Sequence, residues 1–335
     1  MKPWLQVTYS NQSAETLLAA DDPDCGKNIL GIFTFGDTHT ETYNDSRVIH
    51  VPLKQLSATR TEVWQVKEPV EKGNFKQIQY CHSSDLTLAS ISIDLSSGTT
   101  IDDATRLAYT EILQFLEQHQ HCWPLKIWHY FPEITAGEKE DEQYRLFCAG
   151  RAYAVADNPV IMTAIPAATA IGSNSSPSRL LIYFLAGRQP GTTVENPRQI
   201  PAPEYPQQYG LRRPLFSRGT LIASGETHQF LISGTASILG HQSLHDDDVR
   251  EQTRESLRNL SSLISAGRRL APVSRENREE FIQSGGVLRV YVKQRKDFEL
   301  VQAEIRQHPL GQLPAIYLQG DICRDELLVE IDGIF

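Results

Sequence analysis

The amino-acid sequence predicts an α+β fold of two related lobes, each of mainly antiparallel sheet packed with helices. Three observations predict it. Both halves run through several short apolar stretches of strand length, enter a helical period and return to a strand. The wholly charged 138–142 (EKEDE) reads as an exposed loop near the middle of the chain. At 335 residues the chain is comfortable as two domains of ~100–200 residues. The division is placed after 142, giving an N-terminal lobe 1–142 and a C-terminal lobe 143–335, in the manner of an old duplication. A single interwoven domain is the alternative.

In the first half, 28–35, 48–53, 62–66, 75–82 and 86–95 read as strands. Ala104, Ala108, Ile112, Phe115 and Leu116 then recur at helical spacing, and Thr100, Asp102 and Asp103 suit the helix N-terminus. Residues 125–131 form the returning strand. Tyr144, Phe147, Cys148, Arg151 and Val155 predict a short helix that Asn158-Pro159 ends. In the second half, strands are expected at 160–165, 180–186, 219–223 and 229–233. Val249, Thr253, Leu257, Leu260 and Ile264 mark a long helix. Leu288, Val290 and Val292 alternate with Arg289, Tyr291 and Lys293 as a half-buried strand. A second helix spans 298–307, and 314–319 and 326–332 close the chain as strands.

Thirty-two basic against 41 acidic residues give a net charge of −9, which disfavours nucleic acid and anionic membrane as partners. The five cysteines are odd in number and lack CxxC spacing. Neither a disulfide framework nor a zinc site is expected, and a reducing cytoplasm fits. No stretch approaches the ~18–20 apolar residues that span a bilayer, and the N-terminus has no apolar leader. No dinucleotide fingerprint, P-loop, nucleophile elbow or zincin motif occurs. His241 and His245, followed by Asp246, Asp247 and Asp248, would hold a metal if they shared a helix face. The acids better suit the N-terminus of the helix beginning at Val249, so no metal is assigned.

The most informative segment is 195–219, ENPRQIPAPEYPQQYGLRRPLFSRG. It carries Arg198, Arg212, Arg213 and Arg218 without a lysine, interleaved with Tyr205 and Tyr209. Pro197, Pro201, Pro203, Pro206 and Pro214 preclude a continuous helix and stiffen the loop. Arginine grips a carboxylate through two parallel hydrogen bonds, and stiffness lowers the entropy cost of that geometry. The segment therefore suits a small carboxylate ligand. The alternative is a surface crossover whose arginines pair with this acidic chain's own carboxylates.

QYRLFCAGRAYA (143–154), ENPRQIPAPEYPQQYG (195–210), PLFSRG (214–219), ISGTASILGH (232–241) and CRDELLVEIDG (323–333) resemble the chorismatase family. That family includes chorismate hydrolases of polyketide starter-unit pathways and bacterial 3-/4-hydroxybenzoate synthases. The resemblance covers most of the chain and is densest from Gln143 onward. It implies lobes related to RidA/YjgF proteins, which form trimers with sites between subunits. The longer chain is expected to enclose its own site, as a monomer or small homo-oligomer. The implied reaction is cleavage of chorismate, without a cofactor, to pyruvate and 3- and/or 4-hydroxybenzoate. The nearest rival is a hydrolase of the same fold that yields a dihydroxycyclohexadiene carboxylate. A RidA-like imine deaminase and a non-catalytic binder of small acids are the others.

Chorismate carries two carboxylates, a ring hydroxyl and an enol ether. Cleavage calls for protonation of the enolpyruvyl methylene carbon, and so for an acid of raised pKa, carboxylate anchors and exclusion of water. By the resemblance, Glu330 holds the family's catalytic Glu position. Strand alternation in LLVEIDG puts Leu328, Glu330 and Asp332 on one face, which serves a solvated Glu as well as a buried acid. Cys323 matches a subtype position where Cys accompanies aromatising members and Ala hydrolysing ones. Ala236 matches a second subtype position, and the pair points to the 3-/4-hydroxybenzoate synthase group. Read from the residues alone, Cys323 is a buried free thiol. The expected anchors are Arg151, Arg198 and Arg218, with Gln199 and Tyr209 as hydrogen-bonding neighbours. Arg151 equally suits a cation at a helix C-terminus. Thr235 and Ser237 are placed either on the ring hydroxyl or on nearby backbone.

Overall fold

The computed structural model describes residues 5–19, 28–37, 43–96, 98–156, 163–173, 178–224, 227–271 and 286–335. Strands β1 (Leu5–Ser10), β2 (Ile29–Phe35), β3 (Val48–Val51) and, past the two-residue β4 (Lys54–Gln55), β5 (Thr61–Val66) make one sheet in the order β1-β5-β2-β3. Strands β6 (Glu71–Phe75), β7 (Ile78–His82), β8 (Leu86–Asp94), β9 (Trp123–Pro132), β10 (Ala167–Ser173) and β11 (Arg179–Gly187) make a second, ordered β10-β9-β11-β8-β7-β6. The third begins with β12 (Thr192–Val194), β13 (Gly219–Ser224) and β14 (Thr227–Ala236). Beyond a small ribbon of β15 (Ile238–Leu239) and β16 (Gln242–Ser243), it takes in β17 (Val287–Val292), β18 (Ala315–Gln319) and β19 (Val329–Ile334). Its order is β12-β13-β14-β19-β17-β18-β4.

The short helix α1 (Ala14–Ala19) packs near β2. Helices α2 (Ile101–Gln118) and α3 (Gln143–Val155) cover the second sheet, and α4 (Val249–Leu270) and α5 (Phe298–Gln307) cover the third. The fold is α+β. The caps are those the residues call for: the Thr100 side chain accepts from Asp103 N, and that of Asp248 accepts from Arg250 N and Glu251 N. His245 has a positive φ of 63° and precedes α4, so it shares no helix face with His241.

A repeat is visible in the topology. The second sheet is built as hairpin strands β6-β7-β8, helix α2, strand β9, helix α3, then β10 and β11. The third is built in the same succession from β12-β13-β14, α4, β17, α5, β18 and β19. The spatial orders match strand for strand. In each, one parallel pair (β9 with β10, β17 with β18) is joined by a crossover helix, as parallel pairing requires. Helix α3 with β10 and β11 thus completes the first repeat, and a cut at 142 would fall inside it. We place the division between the repeats at 187–192.

Most expected elements lie within a few residues of their places. The run 75–82 is instead two strands joined by a turn in which Lys76 has φ 50°. Strand β10 was not expected, whereas the predicted 160–165 begins outside the described residues and is not a strand at 163–165. Asn158-Pro159 lies outside the described residues; α3 ends at Val155. Strand β17 is buried on both faces rather than half-buried. Its Arg289 and Tyr291 face the interior between the sheets, where Arg289 ion-pairs with Glu62 at 2.7 Å and packs among aromatic rings.

Candidate active site

A cavity of about 410 Å³ lies where β10, at the edge of the second sheet, meets β14 and β19 of the third. Helix α3 supplies Tyr144, Phe147, Cys148 and Arg151. The proline-rich segment lays Tyr205, Tyr209, Leu215 and Phe216 over it, and the turn before β19 adds Cys323 and Arg324. Thr169, Gly234, Ala236 and Glu330 complete the lining next to the strands.

A bulge in β14 shapes this floor. The register with β19 shifts between Ile232 and Thr235, so Ser233 and Gly234 leave the ladder. Ser233 N bonds to Arg218 O, and Gly234 N donates to Thr169 Oγ1 at 3.1 Å. The extra residue reverses the alternation: Leu231 and then Ala236 face the interior core. Ala236 pairs with Glu330 across the strands. Gly234 carries no side chain because Glu330 lies against it; a Cβ there would collide with Oε1.

Glu330 is 5% exposed, and burial pushes its carboxyl up to about 8. The neighbouring Asp332 adds to the rise; Arg218 and Lys126 oppose it. At neutral pH this is a protonated acid. Burial, reinforced by Glu330, drives the Cys323 thiol far above its ordinary 9.0, so it too is neutral. Cys148 is pushed up to about 12 by burial.

Two buried guanidiniums share the cavity with this acid. Arg151 is 4% exposed and sits over the Tyr109 ring at 5.0 Å, yet its Nε and Nη2 have no hydrogen-bond partner. Arg218 donates Nη2 to Ile200 O (3.0 Å) and Tyr205 OH (2.5 Å) and leaves Nε unpartnered. A buried cation with idle donors is costly unless something anionic completes it. His129 helps to define the wall. Its Nδ1 donates to Thr169 O at 2.9 Å, so Nε2 accepts from Tyr109 OH at 2.7 Å. Burial, then Arg151, push its pKa down to about 3, and the ring is neutral. At the mouth, Arg324 stacks 4.0 Å above Tyr209, whose hydroxyl meets His241 Nδ1 at 3.2 Å.

Of the predicted residues, the structure brings together Glu330, Cys323, Arg151, Tyr209, Arg218 and Ala236. Arg198, Gln199 and Thr235 do not line the cavity. Arg198 ion-pairs with Glu255 and donates Nε to Asn259 Oδ1 at 2.8 Å, as a crossover arginine would. Gln199 accepts from Asn196 and donates to Ile238 O, both at 3.2 Å. Thr235 is turned away by the bulge and donates to Ser233 O; Ser237 donates to Leu244 O. These groups hold the strand ends on α4, whose buried Asn259 donates to Ala236 O and Ile238 O. Sequence reasoning missed His129, Thr169, Tyr144 and Gly234. The one signal available was a Lys and a His inside the otherwise apolar strand WPLKIWHYFP.

Comparison with known proteins bears on this geometry. Residues 62–186 match the family profile described as "Chorismatase FkbO/Hyg5-like, N-terminal". A 3-hydroxybenzoate synthase of Streptomyces hygroscopicus is 32% identical over 322 residues, 93% of each chain. A chorismatase of the same organism is 32% identical over 328 residues, 93% of this chain and 91% of that one. A chorismatase crystal structure superposes with a TM-score of 0.85 over 100% of this chain and 99% of that one, at 27% identity. The E. coli YjgF gene product matches 43% of the chain at a TM-score of 0.29, too low to define the fold by itself. Identity at this level across almost the whole length of both chains means that the chain belongs to the chorismatase family.

Proposed function

We propose that this protein cleaves chorismate to pyruvate and 3- and/or 4-hydroxybenzoate, with Glu330 as the acid. The observation that carries the reading is a protonated buried carboxyl sharing one cavity with two guanidiniums that have idle donors, Arg151 and Arg218. A dianionic enol ether needs that combination: cations for its carboxylates and a neutral acid for its methylene carbon. The cavity volume is ordinary for a small ligand. Relatives named chorismatase and 3-hydroxybenzoate synthase support the substrate and product class.

In this mechanism Glu330 gives its proton to the methylene carbon, which becomes the methyl group of pyruvate. The ring carbon–oxygen bond then breaks, and its electron pair completes the pyruvate carbonyl. Loss of a ring C–H proton to the Glu330 carboxylate restores aromaticity and the acid. If the proton leaves the carbon bearing the hydroxyl, the product is 4-hydroxybenzoate. If the hydroxyl oxygen first bridges to the vacated carbon and stays there, the product is 3-hydroxybenzoate. No water is consumed, whereas the diol route takes up one. The neutral Cys323 thiol next to Glu330 occupies space where water would otherwise attack.

The reaction needs no cofactor, nucleic acid or membrane. Among the described residues no helix is long and apolar enough to cross a membrane. A cytoplasmic monomer or small homo-oligomer is supported by the net charge of −9 and by a site drawn from one chain. Purified protein incubated with chorismate tests the reading by liquid chromatography of pyruvate and ring acids. Pyruvate matched by hydroxybenzoate is expected. Pyruvate matched by a diene diol would overturn the product, and no pyruvate from folded protein would overturn the activity.

A further inference from the structure

We propose that Asp332, with Lys126 as its counter-ion, is a positioning residue for this reaction: an anion fixed behind Glu330 that keeps the acid protonated between turnovers. The proposal rests on the reading of Glu330 as the acid.

Asp332 follows Glu330 by two residues on β19, so both carboxyls leave the same face, ~7 Å apart along the strand. Asp332 is 2% exposed, and four donors converge on its Oδ2. Thr169 Oγ1 stands at 2.8 Å, Trp128 Nε1 at 2.9 Å, Tyr291 OH at 3.2 Å and Lys126 Nζ at 3.2 Å. These donors fix the position of the Asp332 carboxylate. Lys126 is fully buried; burial pushes its pKa down to about 8 against the pull of Asp332, and its nitrogen is also fixed by Ile232 O at 2.6 Å. Neither Asp332 nor Lys126 lines the cavity, so the pair is not a substrate anchor. Apolar side chains of similar volume often stabilise a fold as well as a buried ion pair does. The other groups that act on Glu330 are Arg218 from the segment before β13, Tyr144 from α3 and Cys323 from the preceding turn. His129 and Arg151 share its cavity. After burial itself, Asp332 is the group that raises the Glu330 pKa, and Lys126 and Arg218 lower it.

The two partners therefore act on Glu330 with opposite signs. Asp332→Asn keeps the shape and removes the negative charge, which makes Glu330 easier to ionise. Lys126→Met removes the positive charge and leaves Asp332 with three neutral donors, which makes Glu330 harder to ionise. The test is the pH dependence of kcat/KM for chorismate. Wild-type activity should be lost as pH rises through about 8. This alkaline limb should move down by about one pH unit in Asp332→Asn and up by about one in Lys126→Met, each a tenfold change in the ionisation ratio. The double variant should return close to wild type. Single variants that leave the limb in place, or move it in the same direction, would overturn the proposal. So would a double variant displaced as far as a single one, which decides the matter if a single variant does not fold. Glu330→Gln separates the two readings. Near-normal turnover there removes Glu330 as the acid; a dead Glu330→Gln with unmoved limbs in the other variants removes only the role of Asp332.

Discussion

Glu330 titrates at about 8 in the folded protein against an ordinary value of 4.5. Folding therefore favours its protonated form, and this contribution to stability is fully present below 4.5. Between 4.5 and about 8 the unfolded chain has released a proton that the folded protein still binds. Stability falls across that window, and the contribution is gone above about 8. At about 1.4 kcal/mol per unit, the whole effect is about 5 kcal/mol. Glu330→Gln is the perturbation that isolates it, because the amide has nearly the same shape and stays neutral throughout. Urea unfolding of the two proteins at a series of pH values measures the difference, in which titrating groups not coupled to Glu330 cancel. The variant should gain steadily on wild type from weakly acidic to alkaline pH, by up to about 5 kcal/mol, while losing turnover. Two parallel stability curves would refute the reasoning, since they would mean that the folded carboxyl titrates as an exposed one does.

The same cavity yields three more expectations. Arg151→Met, which removes two buried idle donors, should leave the ligand-free protein as stable or up to ~3 kcal/mol more stable. Its KM for chorismate should rise about a hundredfold or more, as loss of a charge-assisted pair implies. Thermal melts and steady-state kinetics decide this, and a destabilised variant with unchanged KM would make Arg151 a structural residue. Gly234→Ala should lower kcat at least about tenfold, because the added methyl meets Oε1 of Glu330, with ~1–3 kcal/mol of overpacking. An unchanged kcat would show that the carboxyl can be displaced without harm. Cys323→Ala should raise the share of diol product. In wild type the product ratio should stay flat from weakly acidic pH to about 9, because the thiol remains neutral there; a ratio that titrates in that range would implicate a thiolate.

How much of the site could be read in advance depends on which physical step fixes each residue. Alternation in LLVEIDG placed Glu330 and Asp332 on one face, and they share that face. That the face is dry depends on the second sheet lying across it, which no local pattern contains. The same gap made β17 look half-buried. Thr235 and Ala236 exchange places because Gly234 starts a bulge, and a glycine in a strand signals a bulge only weakly. Strand β10 (AATAIGS) went unseen because small residues give neither an alternating nor a helical period. Arg198 and Arg218 stand in one motif and looked equivalent, yet α4 brings Glu255 to the first and leaves the second facing the cavity. The neutralising partner lies far along the chain, so only the fold separates anchor from strut.

The repeat also accounts for finding the site on one of the two sheets. Strands β11 and β8 pair in unbroken register over nine residues, and their interior face is filled by Tyr183 with Trp128 and Tyr130 from β9. The corresponding strands of the second repeat, β19 and β14, are interrupted by the bulge at Ser233–Gly234. There the corresponding face carries Glu330 and Asp332 in place of aromatic rings. The bulge leaves the room that Glu330 occupies, and it turns Gly234 N toward the Thr169 hydroxyl, which in turn donates to Asp332. The first repeat then closes the opening with its edge strand β10 and helix α3, which bring Thr169 and Arg151. Acid and fixed anion therefore come from the second repeat, and the anchor Arg151 from the first. This dependence predicts that the second repeat alone would not hold Glu330 dry, and it ties the raised pKa of the acid to the docking of one repeat on the other.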